Sequence, residues 1–76
     1  MNEKQLLTNF GLNLKNLRKT KNLSQEELAH MCELDRTYIS SIERGKRNLS
    51  LINIYKLSKA LKISVCQLLE FNFVGD

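Results

Sequence analysis

Small polar residues punctuate this chain, and each opens a short segment in which apolar residues recur every three or four positions. Ser24, Asp35, Ser50 and Ser64 hold these places. A serine or aspartate there accepts hydrogen bonds from the free amides of a first helical turn, so each marks a helix start. Glu27 stands three residues after Ser24 and adds the reciprocal bond of a capping box. Starts this closely spaced allow only short helices and tight turns.

The pattern therefore predicts an all-α chain of five helices. The first runs from about Glu3 to Thr20, with Leu7, Phe10, Leu14 and Leu17 as its buried stripe, and breaks at Lys21-Asn22-Leu23. The second ends near Met31, and Cys32-Glu33-Leu34 form a turn. The third runs from the Asp35 cap to Arg44, and Gly45 follows as the residue best able to turn left-handed at a helix end. The fourth carries Leu51, Ile54, Leu57 and Leu61 as its stripe. The fifth includes Val65, Leu68 and Leu69, with Phe71, Phe73 and Val74 behind it. No sustained period-two alternation and no Asn-Gly or Asp-Gly pair points to strands. The absence of proline and the presence of only three glycines agree with helix.

A single domain over residues 1–76 is expected, because the chain is near the lower size at which one core suffices. Cys32 and Cys66 form no CxxC pair and His30 is the lone histidine, so no metal is expected. His30 has no evident nucleophile partner and there is no phosphate-cradling glycine loop, so neither an enzyme, a cofactor nor a small-molecule ligand is expected. No charged leader precedes an apolar stretch, and no run approaches the roughly 18–20 apolar residues of a membrane span. The expected setting is the cytoplasm, with two inert thiols.

Two short helices joined by a turn, the second rich in small polar and basic residues, form a helix-turn-helix over about residues 24–44. Ile39 and Ile42 must face the core from the third helix. Arg36, Thr37, Ser40, Ser41 and Arg44 then share its outward face. A face made only for solubility would mix glutamate and lysine; this one is expected to approach base edges and phosphates. Arg36, Thr37, Tyr38 and Ser41 are the expected base readers, arginine suiting the two acceptors of guanine. Tyr38 has packing between helices as an equally supported alternative. Gln25, Ser40, Arg44, Lys46, Arg47 and Asn48 are expected at the sugar–phosphate backbone, Gln25 at the start of the second helix. Glu43 faces inward and requires a cation, for which Arg18 is the expected partner.

Charge distribution agrees. From Arg44 to Lys62 there are six basic residues and no acidic one, within a chain of net charge +4. Lys15, Arg18, Lys19 and Lys21 form a second basic cluster. RNA is disfavoured because the few aromatics are not arrayed for stacking.

The stretches Leu23-Ser24-Gln25-Glu26-Glu27-Leu28-Ala29 and Tyr38-Ile39-Ser40-Ser41-Ile42-Glu43-Arg44-Gly45, followed by Leu51 to Leu61, resemble the phage-repressor and Cro type of helix-turn-helix domain, a five-helix lambda-repressor-like fold. The likeness spans roughly residues 9–70. Within that superfamily, Leu34-Asp35-Arg36-Thr37-Tyr38-Ile39-Ser40, Glu43-Arg44 and Arg47-Asn48-Leu49 are similar to the controller proteins of restriction–modification systems. The resemblance implies a tail-less homodimer that binds palindromic double-stranded DNA upstream of its own gene, activating at low occupancy and repressing at high. It also implies the groove-facing and backbone roles given above and the Arg18–Glu43 pair. Leu49 replaces the proline of many repressor relatives, which is expected to leave the loop less rigid.

One recognition helix discriminates poorly, so a symmetric pair is expected, with its interface within about residues 50–74. Ile52 and Tyr55 lie off the fourth helix's stripe, and with Leu69, Phe71 and Phe73 they are the expected contacts. Glu26 is the expected contact for the sigma subunit of RNA polymerase, since Glu27 is occupied as a cap. An antitoxin or a phage-type repressor on the same fold is the competing reading. A toxin partner is disfavoured by the few residues beyond the helices.

Overall fold

Asn2 opens the first helix: its side chain accepts from the Gln5 amide at 2.8 Å, and the Gln5 side chain accepts in return from the Asn2 amide at 2.9 Å. The computed structural model describes residues 1–71, so Phe73 and Val74 lie outside the described residues. The helices are α1 (Glu3–Thr20), α2 (Gln25–Cys32), α3 (Arg36–Glu43), α4 (Leu51–Leu61) and α5 (Val65–Leu68), and no strand occurs among the described residues. Ser24, Asp35, Ser50 and Ser64 each cap the following helix through the side-chain oxygen. Ser24 with Glu27 and Ser64 with Gln67 complete reciprocal boxes. The Glu27 carboxyl is held below its usual pKa by the hydrogen bonds it accepts from Ser24. That stabilisation is present above the ordinary carboxylate range and fades as the pH falls through the lowered value.

The ends of α1 to α4 are built alike. In each, an amide one or two residues past the cap reaches back to the carbonyl five positions earlier: Leu23 to Arg18, Leu34 to Ala29, Lys46 to Ser41 and Ile63 to Ser58, all between 2.9 and 3.2 Å. The preceding residue turns left-handed in every case: Asn22, Glu33, Gly45 and Lys62 have φ between 57° and 74°. This Schellman closure satisfies the last carbonyls and reverses the chain in very few residues. Leu23, Leu34 and Ile63, delivered by three of these turns, pack against the core.

Phe10 and Leu14 of α1, Leu28, Ala29 and Cys32 of α2, Ile39 and Ile42 of α3, Leu57 and Leu61 of α4, and Leu68 of α5 form that core. Helix α3 packs against both α1 and α2, while α4 packs on α2 and α5, and α5 on α1. At the crossing of α1 and α3 only a hydrogen atom fits: a Cβ on Gly11 would press on the Ile42 carbonyl oxygen and lie 2.8 Å from that of Glu43. The Asn13 amide donates to the Gln67 and Leu68 carbonyls at 2.9 and 2.8 Å, which caps α5 and ties it to α1.

Several expectations need correction. Leu51 is not part of the core stripe; at the first position of α4 it is 77% exposed. Helix α2 continues through Cys32, whose buried thiol lies 3.7 Å from the Lys56 carbonyl and whose pKa burial pushes up. Helix α3 stops at Glu43 with Arg44 as its cap, and α5 stops before Leu69. In the loop after α3, Leu49, where many repressor relatives have proline, packs against the core.

Candidate nucleic-acid interface

Helices α2 and α3 meet through the turn Glu33-Leu34-Asp35, with Leu34 tucked inward and Asp35 accepting from the Thr37 amide at 3.0 Å. Ile39 and Ile42 are fully buried, which fixes the rotation of α3 about its axis. Arg36 and Thr37 are then exposed, Ser40 and Ser41 half-buried and Arg44 exposed, on one outward face. Arg44 donates to the Ser41 hydroxyl at 3.4 Å. The sole carboxylate within α3, Glu43, is turned away from this face and buried.

Glu43 and Arg18 form a bidentate pair, Nε to Oε2 at 2.7 Å and Nη2 to Oε1 at 3.1 Å. A third arginine hydrogen bond, from Nη1, reaches the Leu23 carbonyl at 2.7 Å. Parallel charge-assisted bonds of this kind hold position as well as charge. The Gln25 amide also donates to Glu43 Oε1, at 3.0 Å. Gln25, expected only at the DNA backbone, therefore has its nitrogen engaged inside the protein. The network joins α1, the start of α2 and the end of α3.

Tyr38 is half-buried against the core rather than standing free among the base readers. Its hydroxyl accepts from Asn53 Nδ2 of α4 at 3.0 Å, and the Arg47 guanidinium lies over its ring, 4.8 Å from the centroid. Lys46, Arg47 and Asn48 are exposed on the loop that follows Gly45. Gly45 itself has φ of 74° and would carry a Cβ 2.8 Å from the Thr8 Cα, so the loop starts pressed onto α1. Asn53 and Gly11 were not singled out from sequence. A capping-turn asparagine and a mid-helix glycine carry no local signal of a partner remote in the chain.

Glu26 is exposed on α2, beside Leu23, Glu27, His30 and Met31, which with it line a shallow hollow. On α4, Leu51, Ile52 and Tyr55 are 77%, 68% and 55% exposed. Tyr55 stands four residues from Leu51 and three from Ile52, which places it beside both in one apolar patch. Leu69 is also exposed, whereas Phe71 packs partly against the core. Among the described residues no group of three or more His, Cys, Asp or Glu converges as for a metal, and no helix is long and apolar enough to cross a membrane.

A buried two-helix brace presenting a polar, carboxylate-free helix face defines a helix-turn-helix domain of the kind found in transcriptional regulators. Residues 14–68 match the helix-turn-helix family. The chain is 53% identical over 68 residues to control protein C.BamHI of Bacillus amyloliquefaciens, covering 88% of this chain and 84% of that one. Its fold superimposes with a TM-score of 0.81 on the restriction–modification controller protein C.AhdI from Aeromonas hydrophila, at 52% identity over 82% of this chain and 94% of that one. The controller protein C.Esp1396I, solved as a tetramer in complex with its natural 35 base-pair operator, matches at a TM-score of 0.77 and 40% identity, covering 86% of each chain. The chain belongs to the helix-turn-helix family and, within it, to the restriction–modification controller proteins.

Proposed function

We propose that this chain binds a palindromic operator as a homodimer and regulates its own promoter, activating and then repressing as occupancy rises. The observation that carries this is the outer face of α3. It offers Arg36, Thr37, Ser40, Ser41 and Arg44 while the helix's only carboxylate is withdrawn into an ion pair with Arg18. Arg36, in the first turn, reads a base edge, as do Thr37 and Ser41. Ser40, Arg44, Lys46, Arg47 and Asn48 hold phosphates, joined by the second N–H of the Gln25 amide. Tyr38 meets the groove edge through its hydroxyl. The setting is the cytoplasm, where the DNA is, and the chemistry is binding rather than catalysis.

The two classes of contact separate in experiment. On a duplex selected by the wild-type chain from a randomised library, Arg36→Ala is expected to cost about 1–3 kcal/mol and to relax one operator position. Arg47→Ala is expected to weaken selected and scrambled duplexes alike and to lower the salt slope by about 1. Equal losses on both duplexes for Arg36→Ala would remove it from base reading.

Dimerisation is assigned to the α4 patch of Ile52 and Tyr55, with Leu51 added, and to Leu69, Phe71 and Phe73 near the C-terminus. Apolar side chains as exposed as Leu51, Ile52 and Tyr55 on so small a protein are stabilised by a partner surface. Two copies so joined present two α3 helices to half-sites about 34–36 Å apart. Glu26 is assigned to a basic surface of the polymerase sigma subunit. Glu26→Lys is expected to leave operator occupancy unchanged while lowering promoter activation in reconstituted transcription. Activation that persists at full occupancy would sink the assignment.

A further inference from the structure

Apart from Gln25, the groups assigned to DNA stand on α3 and its following loop, yet one of them is held from α4. Asn53 Nδ2 donates to the Tyr38 hydroxyl at 3.0 Å, and both residues are half-buried. The Asn53 backbone amide is itself bound by the Ser50 hydroxyl at 3.1 Å, so the residue is fixed in the first turn of α4. Over the same ring, 4.8 Å from its centroid, lies the guanidinium of exposed Arg47. Helix α4, helix α3 and the basic loop thus meet in one stack.

Two consequences follow from the chemistry. A phenol has one proton to donate, and with an amide already donating to its oxygen that proton is left to point away from α4. An exposed arginine otherwise loses much rotamer freedom on binding, and a ring fixed beneath the guanidinium removes part of that loss beforehand. We propose that Asn53 is a positioning residue for DNA binding: by holding Tyr38 it keeps the ring beneath Arg47 and the phenolic proton outward, so that Arg47 reaches the phosphate backbone and Tyr38 the groove edge already oriented. The inference rests on the operator-binding reading above. It also gives α4, whose exposed Ile52 and Tyr55 flank Asn53, a direct link to the reading side.

The test is a double-mutant cycle on the selected duplex, with affinities measured across a salt series. Asn53→Ala is expected to weaken binding about fivefold in the wild-type background and less than about twofold when Arg47 is already alanine, because the larger share of the loss acts through Arg47 and only the Tyr38 share remains. A merely structural asparagine would cost the same in both backgrounds, and that additivity would overturn the proposal. Asn53→Asp serves as the second variant. It keeps the side chain's size, suits the first turn of a helix and so preserves folding, but it draws the Tyr38 proton inward. It is expected to bind more weakly than Asn53→Ala, and wild-type affinity for it would equally overturn the proposal. If Arg36→Ala and Arg47→Ala leave binding unchanged, the operator reading itself fails. If they weaken binding and Asn53→Ala does not, only the positioning role fails.

Discussion

Glu43→Ala is expected to lower folding stability by about 3–5 kcal/mol, because it leaves the Arg18 guanidinium buried without a counter-charge. Both partners are almost enclosed, with side-chain exposures of 9% for Arg18 and 3% for Glu43. Solvent screening does not soften the loss here as it does for surface pairs, which contribute about 0–1 kcal/mol. The Gln25 amide loses its acceptor in the same substitution. A chain of this length has on the order of 4–11 kcal/mol in total, so the variant sits close to unfolding at ambient temperature. Urea denaturation followed by circular dichroism, at fixed protein concentration because dimerisation contributes, measures the shift in midpoint. The paired change Arg18→Met with Glu43→Leu removes both charges and fills similar volume. It is expected to recover most of the loss, since a buried ion pair replaced by apolar groups is often neutral. A loss below about 1 kcal/mol for Glu43→Ala, or sensitivity to moderate salt, would show a pair that water reaches.

That network illustrates what the sequence discloses and what it withholds. An inward-facing glutamate beside an otherwise basic surface demands a cation, and Arg18 is readable as the candidate from α1. The third member, Gln25, is not readable in this role, because an amide at a helix start satisfies a phosphate equally well. Helix starts were the clearest features, since a capping side chain acts on amides only two or three residues away. Helix ends were less clear: Glu33 and Lys62 take left-handed conformations that glycine or asparagine would advertise, held there by Leu34 and Ile63 packing inward. Leu51 falls on the stripe by spacing yet is exposed, because periodicity does not distinguish the first residue of a buried stripe from one that projects past the core. Tyr38 could not be resolved from sequence, because its partner Asn53 belongs to another helix. Local chemistry was legible, and contacts between elements remote in the chain were not.

Gly11→Ala is the sharpest expression of such a contact. On local grounds the change is favourable, since alanine in a helix interior is better than glycine by about 1 kcal/mol. The crossing of α1 over α3 reverses the sign. The added Cβ meets the Ile42 carbonyl oxygen well inside van der Waals contact and the Glu43 carbonyl oxygen and carbon at 2.8 and 2.9 Å. These are backbone atoms in the last turn of α3, so no side chain can rotate away to make room. The helices must separate, which loosens Leu14 from Ile39 and Ile42 and lengthens the Arg18–Glu43 bonds together. Overpacking of this kind costs about 1–3 kcal/mol even where side chains can yield, so a net loss of about 3 kcal/mol or more is expected. Asn16→Ala, at an exposed position of the same helix, supplies the control and should be neutral or slightly stabilising. Because α3 is displaced with its backbone, Gly11→Ala is also expected to weaken operator binding at temperatures where the chain remains folded, which Asn16→Ala should not do. A Gly11→Ala protein that gains stability like the control would mean that the two helices are not in contact at this point, and the orientation assigned to the reading helix would fall with that contact.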